Sequence, residues 1–278
     1  MNGSRINNVE YLKAHNIKVA DVSKEMARTF SQMIYKDGFL HCDPHPGNVM
    51  IRPKPTGSPS HCNFEIILLD HGLYRELSPA FRLDYAKLWT AIMASDKEEI
   101  KRRAMNLGGI DAYELFACIL TGRDWDVIQD AQLTRKVRNK AETSKISTGA
   151  GNWLVEIADI LARVPRDLLL LFKTNDLLRA LDEDLGADDG AQMRTFAVMG
   201  QYCAQIIFEE EKKDIQRRIA PSNRNSKSIS VMAKSLGAWC RAYLTFIAKT
   251  ISLNVFVWWI DQSQAETILY KILSKLIP

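Results

Sequence analysis

GFLHCDPHPGN, residues 38–48, and FEIILLDHGLY, residues 64–74, decide how the rest of the chain is read. In the first stretch His41, Asp43 and His45 alternate, as they would to converge on one face of a strand in a two-histidine, one-carboxylate metal site. Pro44 and Pro46 oppose that reading. Each fixes φ and removes a backbone donor, so the segment cannot run as a ladder strand presenting three ligands in register. A plain turn is the second reading, with Pro, Gly and Asn reversing the chain and the histidines satisfied by local hydrogen bonds. The second stretch weakens it, because FEIILLD is a strand-forming run that ends in Asp70-His71-Gly72.

Outward from the motif, DVSKEMARTFSQMIYKDG reads as a helix. Asp21 is placed to cap it, Val22, Met26, Phe30, Met33 and Ile34 form its apolar stripe, and Gly38 closes it. On the other side, NVMIRP and FEIILLD read as a hairpin whose connection, KPTGSPSHCN, is unusually long. From Ser78 the periodicity is helical, with Ser78 as N-cap, Pro79 at the first helical position, and Phe81, Tyr85, Leu88, Trp89 and Ile92 on one face. Further helices are expected over 96–107, 111–120, 152–162, 165–184, 190–216 and 229–276, with loops at 143–152 and 220–228. The expected organisation is a core over 1–128, additional helices over 129–185 and a helical tail over 186–278. The fold class is mainly α with one short β-hairpin at its chemistry.

Asp43 and Asn48 are five apart, the D-x-x-x-x-N spacing of phosphoryl-transfer catalytic loops, and Asp70-His71-Gly72 has the shape of the D-F-G triplet with His for Phe. Mg²⁺ prefers hard oxygen ligands, which an Asn48 amide oxygen and an Asp70 carboxylate supply, and Gly72 allows a sharp turn beside phosphates. Asp43 then sits where a hydroxyl or a water loses its proton. GFLHCDPHPGN with LLDHGLY resembles the AarF/UbiB family of atypical kinase-like proteins. TGRDWD (121–126) and VPRDLLLLFKTNDLLRALD (164–182) look like its mitochondrial branch. The resemblance is carried by residues 1–185 and fades in the tail.

That resemblance implies a protein-kinase-like C-terminal lobe binding ATP and Mg²⁺. Asp43 is then the catalytic aspartate, Asn48 and Asp70 are the metal ligands, and His41, His45, Gly47 and Gly72 form the cofactor-binding surroundings. For the two histidines, bracing the loop through backbone hydrogen bonds is favoured over direct chemistry. Cys42 is expected to be an inert small residue, and His71 to pack against the helical body. The glycine-rich loop, strand lysine and hinge of a kinase N-terminal lobe cannot be placed in the sequence. The expectation is therefore a lobe without its nucleotide roof, truncated from a longer protein and inactive alone. Only six residues separate Gly72 from the next helix, which favours a small-molecule or lipid acceptor over a peptide. The family implies a mitochondrial or plastid setting, although the chain shows no targeting segment. The alternative is a non-catalytic helical module that binds a partner or a membrane.

Composition narrows the partners further. A net charge of +4 from 37 basic and 33 acidic residues, spread along the chain, leaves no nucleic-acid footprint. Five widely spaced cysteines without a CxxC pair favour reduced thiols over a disulfide framework. AWCRAYLTFIAKTISLNVFVWWI, residues 238–260, is interrupted by Arg241 and Lys249 and reads as a packed helix first, an interfacial one second and a membrane span third. The basic stretch 214–228 reads as a solvated loop rather than a lipid contact.

Overall fold

The structure is a computed structural model and describes residues 3–130, 154–187, 190–219 and 229–276. The chain opens with strand β1 (Ser4–Arg5), helix α1 (Val9–Ala14) and helix α2 (Val19–Ser31). Without a break α2 loosens into one π-helical turn, Gln32–Asp37, closed by Gly38 in the left-handed region, φ 70°, whose N–H donates to the Met33 carbonyl at 2.9 Å. A Cβ on Gly38 would stand 2.9 Å from the Arg82 guanidinium, so both the backbone angle and the space select glycine. That guanidinium is there to accept the helix end: Arg82 Nη1 donates to the carbonyls of Tyr35 (3.2 Å) and Lys36 (2.7 Å).

Strand β2 (Phe39–His41) follows at once, then β3 (Val49–Pro53), β4 (Phe64–Leu68) and β5 (Tyr74–Glu76). The expected hairpin is the β3–β4 pair, with Val49 opposite Leu68 and Pro53 opposite Phe64. Two pairings go beyond it. β1 adds to β3 as a third antiparallel strand, and β2 pairs with β5, placing His41 opposite Tyr74. Both involve strands of two or three residues, too short to show a period of two.

Helices α3 (Pro79–Ala94), α4 (Lys97–Gly108), α5 (Tyr113–Thr121), α6 (Trp125–Gln129), α7 (Leu154–Arg163), α8 (Arg166–Asp184), α9 (Ala191–Ile219) and α10 (Ile229–Leu276) complete the described chain. Ser78 caps α3 as expected, accepting from the Phe81 N–H. α2 instead starts before Asp21, at Val19, without a side-chain cap. The expected loops at 143–152 and 220–228 lie outside the described residues.

One apolar cluster extends from Ile6 and Leu12 through Phe30, Leu88, Trp89 and Phe116 to Leu171, Phe196 and Cys203. Tyr35 stacks on Tyr85 at 5.9 Å and Trp89 meets Phe196 at 5.6 Å, so α9 closes over the junction of α2 and α3. α10 runs antiparallel along α9, fixed by Phe208 stacked on Phe246 at 4.8 Å and by Gln201 donating to Asn254 at 2.7 Å. The rest of α10 departs from the packed helix expected. Residues Met232–Ile260 are long and apolar enough to cross a membrane, and only 11% of their most apolar window is buried. Leu236, Leu244, Ile251, Val255, Trp258 and Trp259 are all exposed. Arg241 and Lys249 are exposed along the same stretch, and Arg241 lies 18 residues, five full turns, from Trp259 and so on the same side of the helix.

Candidate active site

The sequence folds the motif by tying the side chains of His41, His45 and Asn48 to backbone groups. His41 is completely buried at the end of β2. Its Nδ1 accepts the Asp43 N–H at 3.1 Å, which leaves the proton on Nε2 to donate to the Asp70 carbonyl at 2.8 Å. One imidazole thereby fixes the loop's aspartate against the Asp-His-Gly triplet. A sealed ring with both nitrogens committed acts on a ligand only through the loop it holds. His45 repeats the device locally, its Nδ1 accepting the Gly47 N–H at 3.0 Å, with Nε2 3.8 Å from Asp43 Oδ2. A Cβ on Gly47 would stand 2.7 Å from the His45 ring, so this closure also needs glycine.

Asn48 is nearly buried, and its Nδ2 donates to the Asp43 carbonyl at 3.2 Å. A carbonyl can only accept, so the amide's orientation is set and Oδ1 is the atom left to a hard cation. The Asn48 carbonyl accepts the Leu69 N–H at 2.9 Å, joining the loop to the chain just past β4, one residue before Asp70. Asp70 is exposed, and its Oδ1 accepts the Gly72 N–H at 2.9 Å. Gly72 serves the turn through that bond rather than through a left-handed backbone, since its φ is not positive. An amide oxygen and an exposed carboxylate suit Mg²⁺, which takes oxygen ligands and keeps several waters.

Two findings differ from expectation or were missed. His71 does not pack on the helical body: it is exposed, stacks on Tyr74 at 5.7 Å and lies 2.8 Å from the Tyr74 hydroxyl, because β5 sets that phenol three residues ahead of it. Lys173, from α8, reaches back across 130 positions to place Nζ 2.8 Å from Asp43 Oδ1. Its ammonium holds the Asp43 carboxyl below the ordinary carboxylate value, with burial opposing and His45 and His41 assisting. The same helix is tethered near the site by the Arg75–Asp167 ion pair. A single cation inside the apolar run LLLLFKTN is the signal that marks Lys173 in the sequence, and it reads equally well as the wet edge of a buried helix. Cys42 is buried, and burial pushes its thiol up to about 11, which makes it unreactive at neutral pH.

A mostly helical body with a small β-hairpin region is consistent with a kinase-like helical lobe carrying extra helices. Residues 1–104, which hold every site residue except Lys173, match the ABC1 atypical kinase-like domain. The chain is 43% identical over 213 residues to AarF domain-containing protein kinase 1 of Xenopus laevis, covering 77% of this chain and 40% of that protein. For the Mus musculus protein of the same name the figures are 39% identity, 76% and 39%. ABC1 family protein MCP2 of Saccharomyces cerevisiae is 35% identical over 264 residues, 92% of this chain and 45% of that protein, so the relationship extends into the helical tail. These matches relate the chain to the AarF/UbiB kinase-like family. The chain spans about two fifths of the length of the first two of these relatives. No solved structure matches it.

Proposed function

We propose that this chain carries the metal and phosphate side of an atypical kinase or ATPase site. In this reading Asn48 Oδ1 and the Asp70 carboxylate hold Mg²⁺ beneath ATP, and Asp43 orients an attacking hydroxyl or water and accepts its proton. The observation that carries it is the His41 bridge, which fixes Asp43 and Asp70 relative to one another through one buried ring. The bound metal would neutralise charge on the phosphates, while this chain's residues position it and exclude disorder from the loop.

The acceptor in this reading is a small molecule or lipid, since β5 and α3 follow Gly72 too closely for a peptide-docking segment. α10 supplies a peripheral membrane contact, Trp258 and Trp259 lying at the headgroup level, in a mitochondrial or plastid membrane. The exposed apolar face of that helix supports this part of the proposal.

Mn²⁺ in place of Mg²⁺ tests the metal site directly. In the isotope-labelled chain with ATP, Mn²⁺ is expected to broaden the amide signals of residues 43–48 and 70–72, and Asp70→Asn to abolish the broadening. No broadening there, or broadening that Asp70→Asn leaves intact, sinks the reading.

A further inference from the structure

A second group of ligating side chains lies away from the loop, where the long β3–β4 connection folds onto α2. Glu25, His61 and Cys62 present a carboxylate oxygen, a ring nitrogen and a sulfur within 4.8 Å of one another. His61 Nε2 is 3.1 Å from Glu25 Oε1 and 2.9 Å from Arg28 Nη1, and that Nη1 is also 2.9 Å from Glu25 Oε1. These three contacts cannot all be hydrogen bonds. The guanidinium only donates and the carboxylate only accepts, so a proton on Nε2 faces the Arg28 N–H, and a lone pair on Nε2 faces the Glu25 oxygen.

We propose that Glu25, His61 and Cys62 form a zinc-class divalent site, with a water as fourth ligand. A cation accepts both lone pairs and removes the mismatch. Zinc bonds of ~2.0–2.1 Å to nitrogen and oxygen give tetrahedral edges of roughly 3.3 Å, close to the His61–Glu25 separation. The mixed N, O and S set suits zinc better than magnesium or calcium. Arg28 now holds the positive charge there, and with its side chain 40% exposed it can turn to solvent when a metal enters. The loop is set in advance: Ser60 Oγ accepts the Cys62 N–H at 3.2 Å and donates to the Phe64 carbonyl at 2.9 Å, and Asn63 Nδ2 donates to the Asn16 carbonyl at 2.9 Å. Binding through sulfur releases the Cys62 thiol proton to solvent. The bound ion would clamp the hairpin connection to the helix that leads into the catalytic loop.

The metal-free 278-residue chain, titrated with Zn²⁺ against a chromophoric chelator and with Co²⁺ by absorption, decides the matter. One equivalent should bind, with a thiolate-to-cobalt charge-transfer band. Cys62→Ser should remove the band and Glu25→Gln should weaken binding by about tenfold or more, while Arg28→Gln should bind at least as tightly as the parent. In the unsubstituted chain, Zn²⁺ should slow alkylation of Cys62 and leave exposed Cys240 unaffected. No stoichiometric binding, a band that survives Cys62→Ser, or equal Cys62 alkylation with and without zinc overturns the proposal.

Discussion

The loop at residues 41–48 and helix α10 are built on opposite economies. In the loop, eight residues carry few side chains of any bulk, yet His41, Asp43, His45, Gly47 and Asn48 each take part in a specific hydrogen bond. α10 has 48 residues, and on its exposed face the large side chains Leu244, Ile251, Val255 and Trp258 lie in solvent. The difference teaches where sequence specificity resides. A loop without a core must fix each polar group, so nearly every residue type is dictated, whereas an apolar face needs only a period and tolerates any residue of suitable size.

The contrast breaks first at His41. His41→Ala removes a buried ring and strands the Asp43 N–H and the Asp70 carbonyl, so urea unfolding should show a loss of about 2–4 kcal/mol. A loss below about 1 kcal/mol would mean that the loop does not depend on that bridge. Next comes Arg82→Ala, which leaves the Tyr35 and Lys36 carbonyls without their donor and should cost about 1–2 kcal/mol in the same assay.

Lys173→Met sharpens the comparison by separating charge from packing. The side chain is half exposed, so stability should change by less than about 1 kcal/mol. The Asp43 carboxyl should rise toward its ordinary value, read by NMR titration. The sign follows from a depressed carboxylate: the pair stabilises the fold above the ordinary value of 3.8 and loses that contribution as pH falls through the lower folded value. The parent should therefore lose its small advantage over Lys173→Met in acid and keep it at neutral pH. The smallest stability effect belongs to α10. Trp258→Ser with Trp259→Ser should shift unfolding by no more than about 0.5 kcal/mol, because both rings are already in solvent. The same pair should reduce sedimentation with anionic vesicles; undiminished sedimentation would remove α10 from the membrane reading.

Legibility in the sequence follows the same division. The helices announced themselves through period and caps, as at Ser78, and the hairpin through its β-branched runs. β1 and the β2–β5 pair did not, because strands this short are made by their partners and carry no pattern of their own. The motif marked Asp43, Asn48 and Asp70, but it could not show which backbone groups the histidines hold. Lys173 was hidden for a different reason: a contact between residues 43 and 173 is a product of tertiary packing alone. The exposed face of α10 was misjudged because hydrophobicity reports what a side chain prefers, and only the fold shows whether that preference has been met.

The π-helical turn at Gln32–Asp37 has a bearing on how this chain tolerates length changes. A π turn is an α-helix carrying one surplus residue. Deleting one of the six would leave a regular helix, attractive by local energetics. A deletion in the regular part of α2, by contrast, would swing everything that follows by about 100° and draw it back by ~1.5 Å. Gly38 would lose its register with Arg82, and His41 would no longer point at Asp70. Along the regular part of α2 the chain should accept substitutions of similar character more readily than a single deletion, which makes the count of residues before the loop as much a part of the site as their identities.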